Sequence, residues 1–93
     1  MSALLIEKSR TNLSDGAFYE TVIWLLPAPV PGSKHNYKYR LALVVNEVCV
    51  LRYDNERGKG DHRHIDDREE PIEFKDMETV VQAFYADMER IMK

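Results

Sequence analysis

The sequence predicts an α+β fold: an antiparallel sheet of four to five strands, with one C-terminal helix packed on one face. Three observations lead there. Short apolar segments recur between residues 3 and 54 with turn-forming residues between them, the pattern of strands joined by tight connections. Asp15-Gly16 separates the first two segments, and this dipeptide is a strong hairpin signal because both residues tolerate positive φ. From Met77 the apolar residues change to helical spacing, falling at Met77, Val80, Val81, Phe84, Tyr85, Met88, Ile91 and Met92.

The elements follow in order. Residues 3–10 form a first strand, with Leu4 and Ile6 on one face and Leu5 on the other. A second runs from about Phe18 to Leu26, where Val22, Trp24 and Leu26 share a face and Ile23 and Leu25 point the opposite way. Pro27-Ala-Pro-Val-Pro-Gly-Ser33 then makes a rigid connector, since proline cannot donate to a ladder. Strands three and four span Tyr37 to Val45 and Val48 to about Asp54, joined by Asn46-Glu47. A tight turn there sets Tyr39 across from Asp54, Arg40 from Tyr53 and Leu41 from Arg52; a different loop length moves every partner. Glu69 to Phe74 contains Pro71 and is an edge strand or extended link. Asp76 caps the helix, with Glu78 in its first turn.

Sixteen helical residues at about 1.5 Å each span about 24 Å, enough to cross four strands. The sheet centre is apolar on both faces, with Leu41, Leu43, Val48 and Val50 on one and Ala42, Val44, Cys49 and Leu51 on the other. One helix covers one face. The remaining face implies a homodimer or a protein partner.

Ninety-three residues make a single domain with a modest core. The net charge of −3 argues against a general nucleic-acid coat, but its distribution is uneven. Residues 1–33 carry −1, residues 34–64 carry +3 and residues 65–93 carry −5. A polyanion would meet the middle. The single cysteine, Cys49, permits no internal disulfide and lies mid-strand as a small buried hydrophobe. No apolar run is long enough for a signal peptide or a membrane span, so the expectation is a soluble cytoplasmic protein with no membrane partner.

One stretch builds no core. Arg52 to His64 holds four fixed cations, three carboxylates, two imidazoles and two glycines, with no aliphatic side chain. Read as a solvated loop it needs no function, but these residue types together are what a phosphodiester cleavage requires. A metal-independent ribonuclease needs a base for the 2′-hydroxyl, an acid for the leaving oxygen and cations for the phosphate. His62 and His64 supply the proton transfers, with Asp54, Glu56 or Asp61 orienting a ring. Arg57, Lys59 and Arg63 hold the phosphate, and Gly58 and Gly60 free backbone N–H groups for a cradle. Tyr37, Tyr39 and Tyr53 interleave with Lys38, Arg40 and Arg52 as stacking surfaces with adjacent cations, the pattern of single-strand binders. In an extended segment His62 and His64 share a face about 6.5–7 Å apart.

A divalent metal at His62 and His64, with Asp54, Glu56 or Asp61, is the competing chemistry. Four cations in the same stretch repel an ion, so no cofactor is expected. His35 is read as solvated. No P-loop or dinucleotide fingerprint is present, which disfavours nucleotide-dependent chemistry.

The chain resembles the TumE-family toxins of toxin–antitoxin pairs. The resemblance is carried by Val22-Ile-Trp24 with the Pro27–Ser33 run, by Tyr37-Lys-Tyr-Arg-Leu41, and most by Tyr53-Asp-Asn-Glu-Arg-Gly-Lys-Gly-Asp-His-Arg-His64 leading to Arg68-Glu-Glu-Pro71. It covers nearly the whole chain. It implies a small cytoplasmic toxin paired with an antitoxin, typically a helix-turn-helix protein, which could dock on the uncovered sheet face. The reaction rests on the residues themselves: cleavage of single-stranded RNA, or else a non-enzymatic module that binds nucleic acid or protein through the basic loop.

Overall fold

The structure, a computed structural model, describes residues 2–93. Six strands, β1 (Leu4–Ser14), β2 (Ala17–Leu25), β3 (Tyr37–Val45), β4 (Val48–Glu56), β5 (Gly60–Ile65) and β6 (Arg68–Pro71), form one antiparallel sheet in chain order. The helix α1 (Met77–Met92) follows. Next-neighbour pairing throughout reflects the short connections, which leave no room for a crossover. Six strands replace the expected four to five because the charged stretch is itself a strand. β5 alternates polar residues that find partners on both faces, so apolar periodicity could not reveal it.

The β3–β4 turn is a two-residue one, with Asn46 and Glu47 at φ of 50° and 70°. Next to it the pairs are Val45 with Val48 and Val44 with Cys49. A β-bulge then skips Val50, and Leu43 faces Leu51, Leu41 faces Tyr53 and Arg40 faces Asp54. The expected pairing of Arg40 with Tyr53 is therefore absent, and the register beyond the turn is shifted by one. A one-residue slip exchanges the faces of every later side chain. Leu51 and Tyr53 join Leu41 and Leu43 under α1, Asn55 is buried against the backbone of Tyr37 and Tyr39, and Arg52, Asp54 and Glu56 turn to the open face. That face is therefore not a leftover apolar surface. Its apolar part is Phe18, Val22 and Trp24 of β2 with Ala42 and Val44 of β3.

Phe84, Leu41, Leu43 and Leu51 are fully buried, with Ile23, Tyr39, Tyr53 and Val80 completing the core. The helix lies over β3 and β4 rather than across four strands. Tyr19 of β2 reaches its flank, edge-on to Phe84 with ring centroids 6.1 Å apart. β1 is left uncovered and exposed along its whole length. Cys49 sits beside the turn and is exposed, not buried as expected. Among the described residues no helix is long and apolar enough to cross a membrane.

Asp76 caps α1 as anticipated, its carboxylate accepting from the Thr79 N–H at 2.7 Å. That hydrogen bond holds the carboxyl below its ordinary value of 3.8. A group depressed on folding stabilises the native state above its unfolded pKa and loses that contribution as pH falls through the folded one. Asp76→Ala should therefore narrow the stability gap to the parent chain as pH drops through and below 3.8. Parallel urea titrations across that range test this, and a gap that widens on acidification refutes it.

Candidate functional site

The hairpin joining β4 to β5 sets the geometry. His62 and His64 stand two apart on β5, so they project from one face, while Asp61, Arg63 and Ile65 project toward α1. The register places Arg52 opposite His64, Asp54 opposite His62 and Glu69 of β6 opposite His64. Both imidazoles thus share the open face, with side chains 14% and 24% exposed.

Each ring is held by a different partner. His62 Nδ1 lies 3.0 Å from the Gly60 carbonyl. A carbonyl only accepts, so Nδ1 carries the proton and a neutral ring presents its lone pair at Nε2. Glu69 stands 4.0 Å from that nitrogen. His64 Nε2 lies 3.0 Å from Arg52 Nη2, and since arginine only donates, this nitrogen is the acceptor. Asp54 and Glu69 lie 3.7 and 3.8 Å from it. Lys59 Nζ completes the group, 3.7 Å from both Glu56 and Glu69.

Arg52 sits at the centre. Its Nε is 3.0 Å from Asp54 and its Nη2 is 3.7 Å from Glu56. The contact with Asp54 is ionic but poorly aligned for a hydrogen bond, so Arg52 Nε and Asp54 Oδ1 are buried without a hydrogen-bond partner. Such orphaned groups mark strain or a place for a ligand atom. Asp54, Glu56 and His64 also bring ligand atoms within 4.8 Å of one another, the spacing of a metal site. The guanidinium lies against all three, so a divalent ion would have to displace it.

Trp24 of β2 is a site neighbour that the sequence does not indicate. Its partner Lys38 and the Arg40–Asp54 pair bring it beside the cluster. With Val22, Lys38, Arg40, Asp54, Asn55 and Glu56 it lines a depression of about 240 Å³. Alternation grouped Trp24 with Val22, but only cross-strand register could put either beside Lys38, Arg40 and Asp54. Lys38, Arg40 and Arg57 are exposed, and no ion pair holds them among the described residues.

Four residues expected at the site belong to the other face. Tyr39 and Tyr53 are 2% and 3% exposed, which closes their rings to a stacking base. Tyr39 donates to Asp61 at 2.6 Å; burial, then this bond, raises its phenol pKa and keeps it a donor. Asp61 orients His35 rather than the β5 imidazoles. His35 Nε2 lies 2.9 Å from Asp61, its Nδ1 accepts from the Tyr37 N–H, and its ring stacks on Phe74 at 3.6 Å. His35 is therefore mostly enclosed, not solvated. Arg63 donates to Glu70 at 2.9 Å and to Asp87 at 3.1 Å. Its bond with Glu70 raises the arginine and lowers the carboxyl.

The glycines also serve another purpose than a cradle. The Gly58 N–H donates to the Pro31 carbonyl. A Cβ on Gly60 would stand 3.1 Å from the Gly32 oxygen, and one on Gly32 would stand 3.0 Å from the Gly58 backbone. Missing side chains let the proline connector pack on the hairpin. That packing leaves the Gly60 carbonyl to hold His62.

A family model described as toxin TumE matches residues 3–92. No curated protein and no solved structure matches the chain.

Proposed function

The chain belongs to the TumE family of toxins, and from that premise we propose that it is the toxin of a toxin–antitoxin pair and cleaves single-stranded RNA without a metal. One observation carries the reading: His62 and His64 share a face beside fixed cations, and His62 Nε2 is left as an acceptor by the bond from Nδ1 to Gly60. His62 removes the 2′-hydroxyl proton, and the freed oxygen attacks phosphorus. The substrate phosphate draws Arg52 off His64 Nε2, that nitrogen takes up a proton beside Asp54 and Glu69, and the P–O5′ bond breaks as it gives this proton to the leaving 5′-oxygen. The products are a 2′,3′-cyclic phosphate and a 5′-hydroxyl.

Lys59 and Arg52 meet the charge that grows on the phosphate. These two cations are shared among three carboxylates, Asp54, Glu56 and Glu69, so further positive charge has to come from neighbouring strand residues. Exposed Lys38, Arg40 and Arg57 extend positive charge along the strand's path. Trp24 offers a shelf on which a base can stack, the usual source of sequence-tolerant single-strand binding.

The competing reading is a non-catalytic docking surface, favoured by the way Arg52 already lies against His64, Asp54 and Glu56. Purified protein, free of its antitoxin and with a chelator present, is expected to cleave single-stranded RNA, and the His62→Ala/His64→Ala double variant is expected to bind RNA without cutting it. Undiminished cleavage by the double variant would sink the proposed roles. RNA binding with no cleavage by the parent chain would give the site to docking, and cleavage abolished by chelation alone would give it to a metal.

A further inference from the structure

The two edges of the sheet are unlike. β6 has four residues and ends at Pro71, which suits an edge meant to stay unpaired. β1 has eleven residues, all exposed. Four of the seven large apolar side chains exposed among the described residues, Leu4, Leu5, Ile6 and Leu13, lie on it. Its outer N–H and C=O groups form an unused ladder, the template for an added strand.

A second copy of the chain does not fit this edge. The bulges at Ile6 and Leu13 leave a regular run from Glu7 to Asn12. Two-fold antiparallel pairing places one residue opposite its own copy. Centring on Glu7, Lys8 or Arg10 sets a charge against itself, centring on Ser9 sets Lys8 against Arg10, and centring on Thr11 or Asn12 opposes no like charges but pairs at most three residues of the run. Like charges directly opposite destabilise a sheet. The strand repels itself, which protects it from self-association while leaving it open to a complementary sequence.

That sequence can be described. Lys8 and Arg10 project from the open face, opposite Val22 and Glu20. Arg10 lies 3.6 Å over the Phe18 ring and 3.8 Å from Glu20 in a solvent-accessible ion pair, while Lys8 has no ion-pair partner among the described residues. With Ser9, Glu20 and Val22 they line a depression of about 420 Å³. We propose that β1 receives an extended segment of a different protein as an added antiparallel strand, with carboxylates two residues apart opposite Arg10 and Lys8 and apolar residues following toward Leu5 and Leu4. The proposal does not depend on RNA cleavage.

The test uses the full chain and a synthetic peptide of about ten residues, with two glutamates at alternate positions followed by leucines. Amide hydrogen exchange should slow about tenfold between Glu7 and Asn12, with β6 unchanged. The same peptide N-methylated on alternate backbone nitrogens should lose the effect, and Lys8→Glu/Arg10→Glu should transfer preference to a peptide with lysines in place of the glutamates. Unchanged exchange at saturating peptide, equal protection by the N-methylated peptide, or protection at β6 would overturn the proposal. So would a dimer of the free chain whose β1 amides are already protected. RNA cleavage is not part of the readout, so either idea can fail alone.

Discussion

His62→Asn is expected to lower RNA cleavage by about 10²–10⁴-fold, the contribution of a positioned general base, while RNA binding and folding persist. The asparagine amide can still donate to the Gly60 carbonyl, as Nδ1 does at 3.0 Å, but it offers no base where Nε2 stood. A side chain that had only a structural role there would leave the rate unchanged. His64→Ala should fall by a similar factor for a different reason, since it removes the proton donor and also frees Arg52 from its contact at 3.0 Å. The pH profile separates the two. A base must be unprotonated and an acid protonated, so losing His62 should flatten the acidic limb and losing His64 the alkaline one. Both limbs surviving in either variant would remove that residue from the reaction.

Asp87→Ala is expected to destabilise the fold by about 3–5 kcal/mol, the cost of breaking a buried charged network by removing one member. Asp87 is 3% exposed on α1. It accepts from the Tyr53 hydroxyl and from Arg63, and it also contacts Arg90. Without it the Tyr53 hydroxyl is buried with no acceptor. Arg63 keeps Glu70 and partial access to water, which holds the cost toward the lower end. Asp87→Asn retains an acceptor for Tyr53 and should cost less. A urea midpoint lowered at constant m would show the effect in the alanine variant; a loss below about 1 kcal/mol would mean the network contributes no more than a surface ion pair. The network also ties the helix to β5 on the side away from the histidines, because Arg63 lies between them in the strand.

Short-range signals were legible. β3 runs from Tyr37 to Val45 as its alternation indicated, and α1 begins after its Asp76 cap. Asn46-Glu47 makes the two-residue turn that asparagine favours. These features depend on neighbours within a few positions, where residue type and backbone preference act directly. The grouping of His62 with His64 was legible in the same way, since any extended segment puts alternate residues on one side.

Partners across strands were not legible. No residue type announces the bulge at Val50, yet it decides that Asp54 and Arg52 face outward beside the imidazoles while Leu51 and Tyr53 go under the helix. Tyr39 and Asp61 have the chemistry of a binding site and are spent on packing around His35. Alternation gave Trp24 a strand face, but only pairing brought it to the depression beside Asp54 and Glu56. Local order along the chain thus settled the apolar strands, the turns and the helix, though not β5, and showed which side chains could do chemistry. Which of them meet was left to assembly: each residue skipped between two strands reverses inside and outside for all that follow, and only packing of the whole sheet against its helix selects one outcome.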